Sequence, residues 1–250
     1  MNNSVLIAGK DMPAGGKFAD GFVRGGRTVL ITGTDISEDQ EIQSNQDFET
    51  FQWNRASSIS TRALVLKAES QDQSMTEAVL YFDEEYFASI AEKMDMSECS
   101  KTSDQLILGY QQLTLELLNR FEKRFASISN TPGKLVFIIK EGPNMADAIR
   151  SPVLKNGSSH IAGPLIAAAA SAFTSFAENI AASYGDCDFV NIILVRGDDH
   201  NEVSKSDDQL SYWLSSYLNE VDTQKSKLTA KKSINWIKPG SKGPSAGLFR

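Results

Sequence analysis

The chain is poor in the residues that make disulfide staples and metal sites. Its 250 residues hold two cysteines, Cys99 and Cys187, and two histidines. Two thiols are not a disulfide framework, and no His pair or His with Cys has metal-ligand spacing, so no metal is expected. Positive charge is also short: 25 Lys and Arg against 32 Asp and Glu leave a net charge of −7, which argues against nucleic acid as the main partner. No apolar run is read as long enough to span a membrane, and the start lacks the basic region and long apolar run of a secretion signal. The expectation is a cytoplasmic protein with reduced thiols and no membrane partner. Arg196-Gly197-Asp198 and Asn156-Gly157-Ser158 spell motifs that presuppose an extracellular protein and so carry no weight.

Two local scarcities matter later. Tyr184 is the only tyrosine between Tyr110 and Tyr212, and Lys155 is the only lysine from Glu141 to Asp198. From Lys225 to the end there is no Asp or Glu, which leaves a basic end able to dock on an acidic surface or to stay solvated.

What is present is an alternation of apolar runs and helical patterns. Ser4 to Ala8 is a run of strand length, followed by Gly9-Lys10-Asp11-Met12-Pro13-Ala14-Gly15-Gly16. Phe18, Ala19, Phe22 and Val23 then recur at helical spacing, Gly25-Gly26 end the helix, and Thr28 to Thr32 form a second apolar run. Strand, glycine-bearing turn, helix and strand within about thirty residues make a βαβ unit. Such a turn can aim backbone N–H groups and a helix N-terminus at a pyrophosphate. Equally, its glycines can serve only close helix-to-strand packing. Further strands are expected at Ala78–Phe82, Leu135–Ile139 and Phe189–Val195, and a short last one around Ile234–Ile237 before Lys238-Pro239-Gly240. The pattern predicts an α/β fold: one doubly wound, Rossmann-type parallel sheet with helices on both faces. One domain over 1–241 and a flexible tail over 242–250 are expected.

These residues resemble the short-chain dehydrogenase/reductase family over roughly residues 4 to 241. The family's Gly-x-x-x-Gly-x-Gly turn aligns with Gly9, Pro13 and Gly15, and its helix-ending glycine with Gly26. Val190-Asn191, the helix Gln209 to Glu220 and Lys238-Pro239-Gly240 sit where the family has its sixth strand, penultimate helix and last strand. The resemblance implies a Tyr-x-x-x-Lys pair on a late helix. Matching Phe173, Phe176, Ile180 and Ala181 to the apolar positions after that pair puts Ile166 at the Tyr position and Ala170 at the Lys position. Neither side chain can move a proton. The family's helix asparagine falls on Leu106, and candidates for its serine are Ser151, Ser158 and Ser159. His160 is a loop histidine close by.

The implied cofactor site is altered as well. Pro13 removes a backbone donor from the turn. Gly33 and Thr34 stand where an acid would select a ribose 2′-hydroxyl or a basic residue a 2′-phosphate. Lys10 could offer a charge to a phosphate, against which Asp11 and Asp35 would work. Asp83, Glu84 and Glu85 read as a solvated helix start, and at a cofactor's mouth they would repel it. Asn54 could replace an adenine-contacting Asp. No cofactor is therefore expected, with NADP(H) as the alternative.

Two functions follow. The first is a catalytically degenerate short-chain dehydrogenase/reductase-like protein serving as a binding, scaffolding or regulatory subunit. The alternative is an NADP(H)-dependent oxidoreductase acting on a small carbonyl or acyl substrate with non-standard catalytic residues. The helix carrying Ile166 is rich in alanine, and the preceding helix, roughly Ser103 to Ser127, repeats Leu106, Tyr110, Leu113, Leu117 and Phe121. In the resembling family these two helices often form a four-helix bundle across a two-fold axis, so a homodimer or homotetramer is expected, with another protein subunit as a further partner.

Overall fold

The computed structural model describes residues 3–33, 48–71, 75–91, 95–143, 145–150, 161–223 and 234–242. Six parallel strands form one sheet in the order β3-β2-β1-β4-β5-β6. They are β1 (Ser4–Met12), β2 (Thr28–Gly33), β3 (Phe48–Gln52), β4 (Met75–Asp83), β5 (Gly133–Glu141) and β6 (Val190–Asp198). The helices are α1 (Gly16–Arg24), α2 (Ser58–Gln71), α3 (Glu84–Ile90), α4 (Met96–Thr102), α5 (Gly109–Arg124), α6 (Met145–Arg150), α7 (Pro164–Tyr184) and α8 (Asp207–Thr223). Two π-helical segments flank α5: Ser103–Leu108 joins it to α4, and Phe125–Ser129 follows it.

The strands are apolar on both sides because both faces of the sheet are covered. Alternate residues of one strand serve different cores. Val5, Ile7, Val29, Ile31, Val79 and Val136 pack under α1 and α8, with Phe18, Phe22, Leu210 and Leu214. Leu6, Leu30, Leu80, Phe82, Phe137 and Leu194 pack under α2, α5 and α7. At the centre of that second core, Phe173 sets its ring 5.0–5.8 Å from those of Tyr110, Phe82 and Phe137. This is the doubly wound architecture that the apolar runs predict.

Helix α7 differs from expectation in one respect. Its 21 residues, with mean hydropathy 1.3, have the length and composition to cross a membrane. The chain therefore does hold an apolar stretch of that length. In this fold it is a core helix: Ile166, Ala169, Ala170, Phe173, Ala177, Ile180 and Ala181 are buried. Its high alanine content lets it lie close to the sheet.

The expected last strand is a single bridge. Ile237 pairs in parallel with Val195, donating its N–H to the Leu194 carbonyl at 2.8 Å and accepting from the Arg196 N–H at 3.0 Å. Pro239, which lacks an N–H, follows two residues on and could not extend that ladder. Of the expected tail only residue 242 lies within the described residues. The strand order reverses between β1 and β4, so a crevice opens beyond their carboxyl ends, the usual place for a ligand in such a sheet.

Candidate functional site

The turn beyond β1 is later and tighter than the sequence suggests. β1 runs on to Met12, so Gly9 lies inside a strand and not in the turn. A side chain at Gly9 would place its Cβ 2.0 Å from the Tyr81 carbonyl oxygen and 2.5 Å from the Tyr110 hydroxyl. That hydroxyl donates to the same carbonyl at 2.8 Å. The turn proper is Pro13 to Gly15, entered through a cis Met12–Pro13 bond. Its donors are largely used within it: the Gly15 N–H goes to the Asp11 carbonyl at 2.9 Å and the Gly16 N–H to the Pro13 carbonyl at 3.1 Å. Gly15 then caps α1, where a Cβ would sit 2.1 Å from the Lys10 carbonyl oxygen. The donors expected to face a pyrophosphate at Gly15 and Gly16 are thus turned inward.

The charges around this turn are also committed. Lys10 Nζ lies 2.6 Å from Asp83 Oδ2 and 2.6 Å from Asp207 Oδ2, and the Tyr81 hydroxyl donates to Asp207 at 2.9 Å. Burial works against the Lys10 charge, but Asp83 and Asp207 outweigh it and hold its pKa above the ordinary lysine value. These two salt bridges commit the Lys10 charge within the protein. Asp83 is likewise no solvated helix start: it is 1% exposed, and its side chain caps α3 by accepting the Tyr86 N–H at 3.1 Å.

On the other side of β1, Asp11 is neutralised within the protein. Thr32 donates to one of its oxygens, and Arg55 Nη2 lies 2.7 Å from the other while also meeting the Gly9 carbonyl. The Arg55 guanidinium sits 5.1, 5.3 and 5.8 Å from the ring centres of Trp53, Phe87 and Tyr110. Burial opposes its charge, and Asp11 overcomes that to raise its pKa. The sequence analysis passed over Arg55, although it adjoins Asn54. The available signal was Asp11 itself, because a carboxylate near the centre of a sheet needs a cation.

Beside this ion pair lies a cleft of about 610 Å³, within the size range of small-molecule sites. Gly33, Asn54, Leu106 and Ile166 all line it, so the fold brings these four expected positions together. Gly9, Lys10, Pro13, Gly15 and Ala170 are not among its lining residues. Ala170, one turn after Ile166, is buried in the core. Asn54 uses its side-chain oxygen locally, accepting the Ala56 N–H at 3.1 Å. Tyr86 also lines the cleft, and burial raises its pKa above the ordinary tyrosine value. Thr34, Asp35, Ser151, Ser158, Ser159 and His160 lie outside the described residues, and among the described residues no cluster of His, Cys, Asp and Glu could hold a metal.

Known structures share this architecture. The NADH-dependent reductase A1-R′, responsible for alginate metabolism, superposes with a TM-score of 0.60 at 12% identity, over 96% of each chain. A short chain dehydrogenase from Bacillus anthracis str. 'Ames Ancestor' gives 0.52 at 13% identity, over 76% of this chain and 74% of that one. The fold is that of the short-chain dehydrogenases/reductases. At such identities the likeness is one of fold, and function has to be argued from the site. No protein-family model matches the chain. In sequence it is similar to an uncharacterized protein of Treponema pallidum (strain Nichols), 24% identical over 192 residues, which cover 76% of this chain and 72% of that protein. The cleft holds Leu106 and Ile166, while the turn from Pro13 to Gly15 is closed on itself.

Proposed function

We propose that this protein uses the short-chain dehydrogenase/reductase fold as a binding, scaffolding or regulatory subunit and does not transfer hydride through a Tyr–Lys pair. One observation carries this reading: the crevice beyond β1 and β4 is occupied by the chain's own ion pairs, Lys10 with Asp83 and Asp207. A dinucleotide pyrophosphate would have to displace these partners, and Asp83 and Asp207 would repel it once freed. Ile166, aligned with the family's tyrosine, supplies an apolar wall of the cleft, and Ala170, aligned with its lysine, is buried in the core. The test is titration with NADH and NADPH, following nicotinamide fluorescence and the melting temperature, because a ligand of the native state must raise its stability. No saturable signal and no shift are expected at millimolar cofactor; saturable binding at micromolar cofactor defeats the reading.

A second reading, an NADP(H)-dependent oxidoreductase with displaced catalytic groups, draws support from Tyr86. Tyr86 lines the cleft, and burial raises its pKa above the ordinary tyrosine value, so it holds a proton that it could donate. The similarity of fold to an NADH-dependent reductase points the same way. Micromolar cofactor binding abolished by filling the cleft would favour this alternative.

The subunit is further proposed to self-associate through α5 and α7. Leu108, just before α5, and Leu115, in its middle, are 40% and 54% exposed. Sedimentation velocity at micromolar concentration should show a dimer or tetramer, and Leu115→Glu should shift it to monomer.

A further inference from the structure

The cleft floor holds a cation that the protein uses only in part. A guanidinium has five N–H donors. Among the described residues, Arg55 spends those of Nη2 on Asp11 and the Gly9 carbonyl, while Nε and Nη1 have no acceptor. The residue as a whole is 7% exposed and lines the cleft, so its free donors open there. Asp11 and the rings of Trp53, Phe87 and Tyr110 fix the group before any ligand arrives, which lowers the cost of ordering it on binding. Tyr86 lines the same cleft, and its hydroxyl is one more donor in kind.

Charge narrows the ligand. Among the described lining residues, Arg55, Lys67 and Lys101 against Asp11 and Glu98 leave one excess positive charge. That balances a monoanion; a diphosphate or phosphate monoester would bring charge left unpaired. Shape narrows it further. Away from Arg55 the wall becomes apolar at Ile90, Leu106 and Ile166, and it adjoins a hollow of about 210 Å³ bordered by Ile161 and Leu165. Ala91 and Ile166 border both spaces.

We propose that the cleft binds an organic monoanion, with its carboxylate on the free donors of Arg55 and the Tyr86 hydroxyl and its apolar body running past Leu106 and Ile166. This inference rests on the reading that no dinucleotide takes the cleft. A carboxylate meeting a charged donor gains about twice what a neutral pair gains, and the apolar body supplies the rest by leaving water.

The test uses sodium octanoate, with 1-octanol as the same chain without charge and inorganic phosphate as charge without chain. Calorimetric titration should show saturable octanoate binding that raises the melting temperature, with octanol and phosphate each at least about tenfold weaker. Ala91→Trp, at an exposed position on the junction of the two spaces, should abolish uptake while keeping the melting temperature of the free protein. Tyr86→Phe should weaken octanoate several-fold and leave octanol unchanged. Absence of octanoate binding, octanol or phosphate binding as tightly, or unaltered affinity in Ala91→Trp each overturns the proposal. NADH runs in parallel. If neither octanoate nor NADH binds, the ligand class is wrong and the non-dinucleotide reading stands. If NADH binds saturably, that reading falls and the ligand class falls with it.

Discussion

Replacing Glu77 by Gln should lower the stability of the protein by about 3–5 kcal/mol, the usual cost of leaving buried charges unpaired. Glu77 is fully buried in β4, where it stands opposite Lys134 of β5. Its carboxylate accepts from Arg27 Nε at 2.5 Å, Arg27 Nη2 at 3.2 Å and Lys134 Nζ at 2.8 Å. Arg27 reaches on to Ser215 and Asn219, and Lys134 lies 2.5 Å from Asp222, so the one carboxylate clamps α8 to the amino-terminal edge of the sheet. Burial alone would raise the Glu77 pKa; the Arg27 hydrogen bond and the Lys134 charge outweigh it and hold the value below the ordinary 4.5. A depressed carboxylate contributes stability that is in place above the unfolded-state value and is lost as pH falls through the folded one. Urea midpoints of the natural protein should therefore decline as pH drops below about 4.5, while the Gln variant, weaker at neutral pH, should lack this group's share of the decline. Equal midpoints at neutral pH would mean that the network contributes nothing net.

The same chemistry explains which parts of the molecule can be read from its sequence. The strands are legible because residues buried on both faces of a parallel sheet form unbroken apolar runs, as in Val29 to Ile31 or Leu135 to Ile139. β1 is underestimated by four residues because Lys10 and Asp11 look like turn residues. They belong to a buried strand end only because Asp83, Asp207 and Arg55 neutralise them, and these partners stand 73, 197 and 44 positions away. No local pattern carries that information. Arg55 is invisible for the same reason: its identity as a cleft cation depends on Asp11 and on rings from Trp53, Phe87 and Tyr110. By contrast, Leu106 and Ile166 are found because the family resemblance puts them at its asparagine and tyrosine positions, and both line the cleft. The terminal strand fails as an expectation because only Ile237 pairs with β6 before Pro239.

Gly9 offers the sharpest separation between a residue kept for a ligand and one kept for packing. Gly9→Ala should destabilise the protein by about 2–6 kcal/mol, combining about 1–3 for a strained backbone with about 1–3 for overpacking. Its φ of +125° lies where side chains are strained, and the added carbon would meet the backbone of Tyr81 and the Tyr110 hydroxyl, neither free to swing away. Loss of the Tyr110 hydrogen bond to the Tyr81 carbonyl would follow, disturbing the strand beside the Lys10 and Asp83 pair. Gly26 is the control. Its φ is +83°, but nothing lies within 4 Å of the added carbon, so Gly26→Ala should cost only the left-handed penalty of about 1–2 kcal/mol. Thermal and urea unfolding of the two variants give the comparison directly. If Gly9 instead existed to let a pyrophosphate approach, Gly9→Ala would be no worse in stability than Gly26→Ala and would reduce cofactor binding that the natural protein displays. A large stability gap between them, with no nicotinamide binding in either, assigns the glycine to the crossing of β1, β4 and Tyr110, and makes the closed crevice a property of the core.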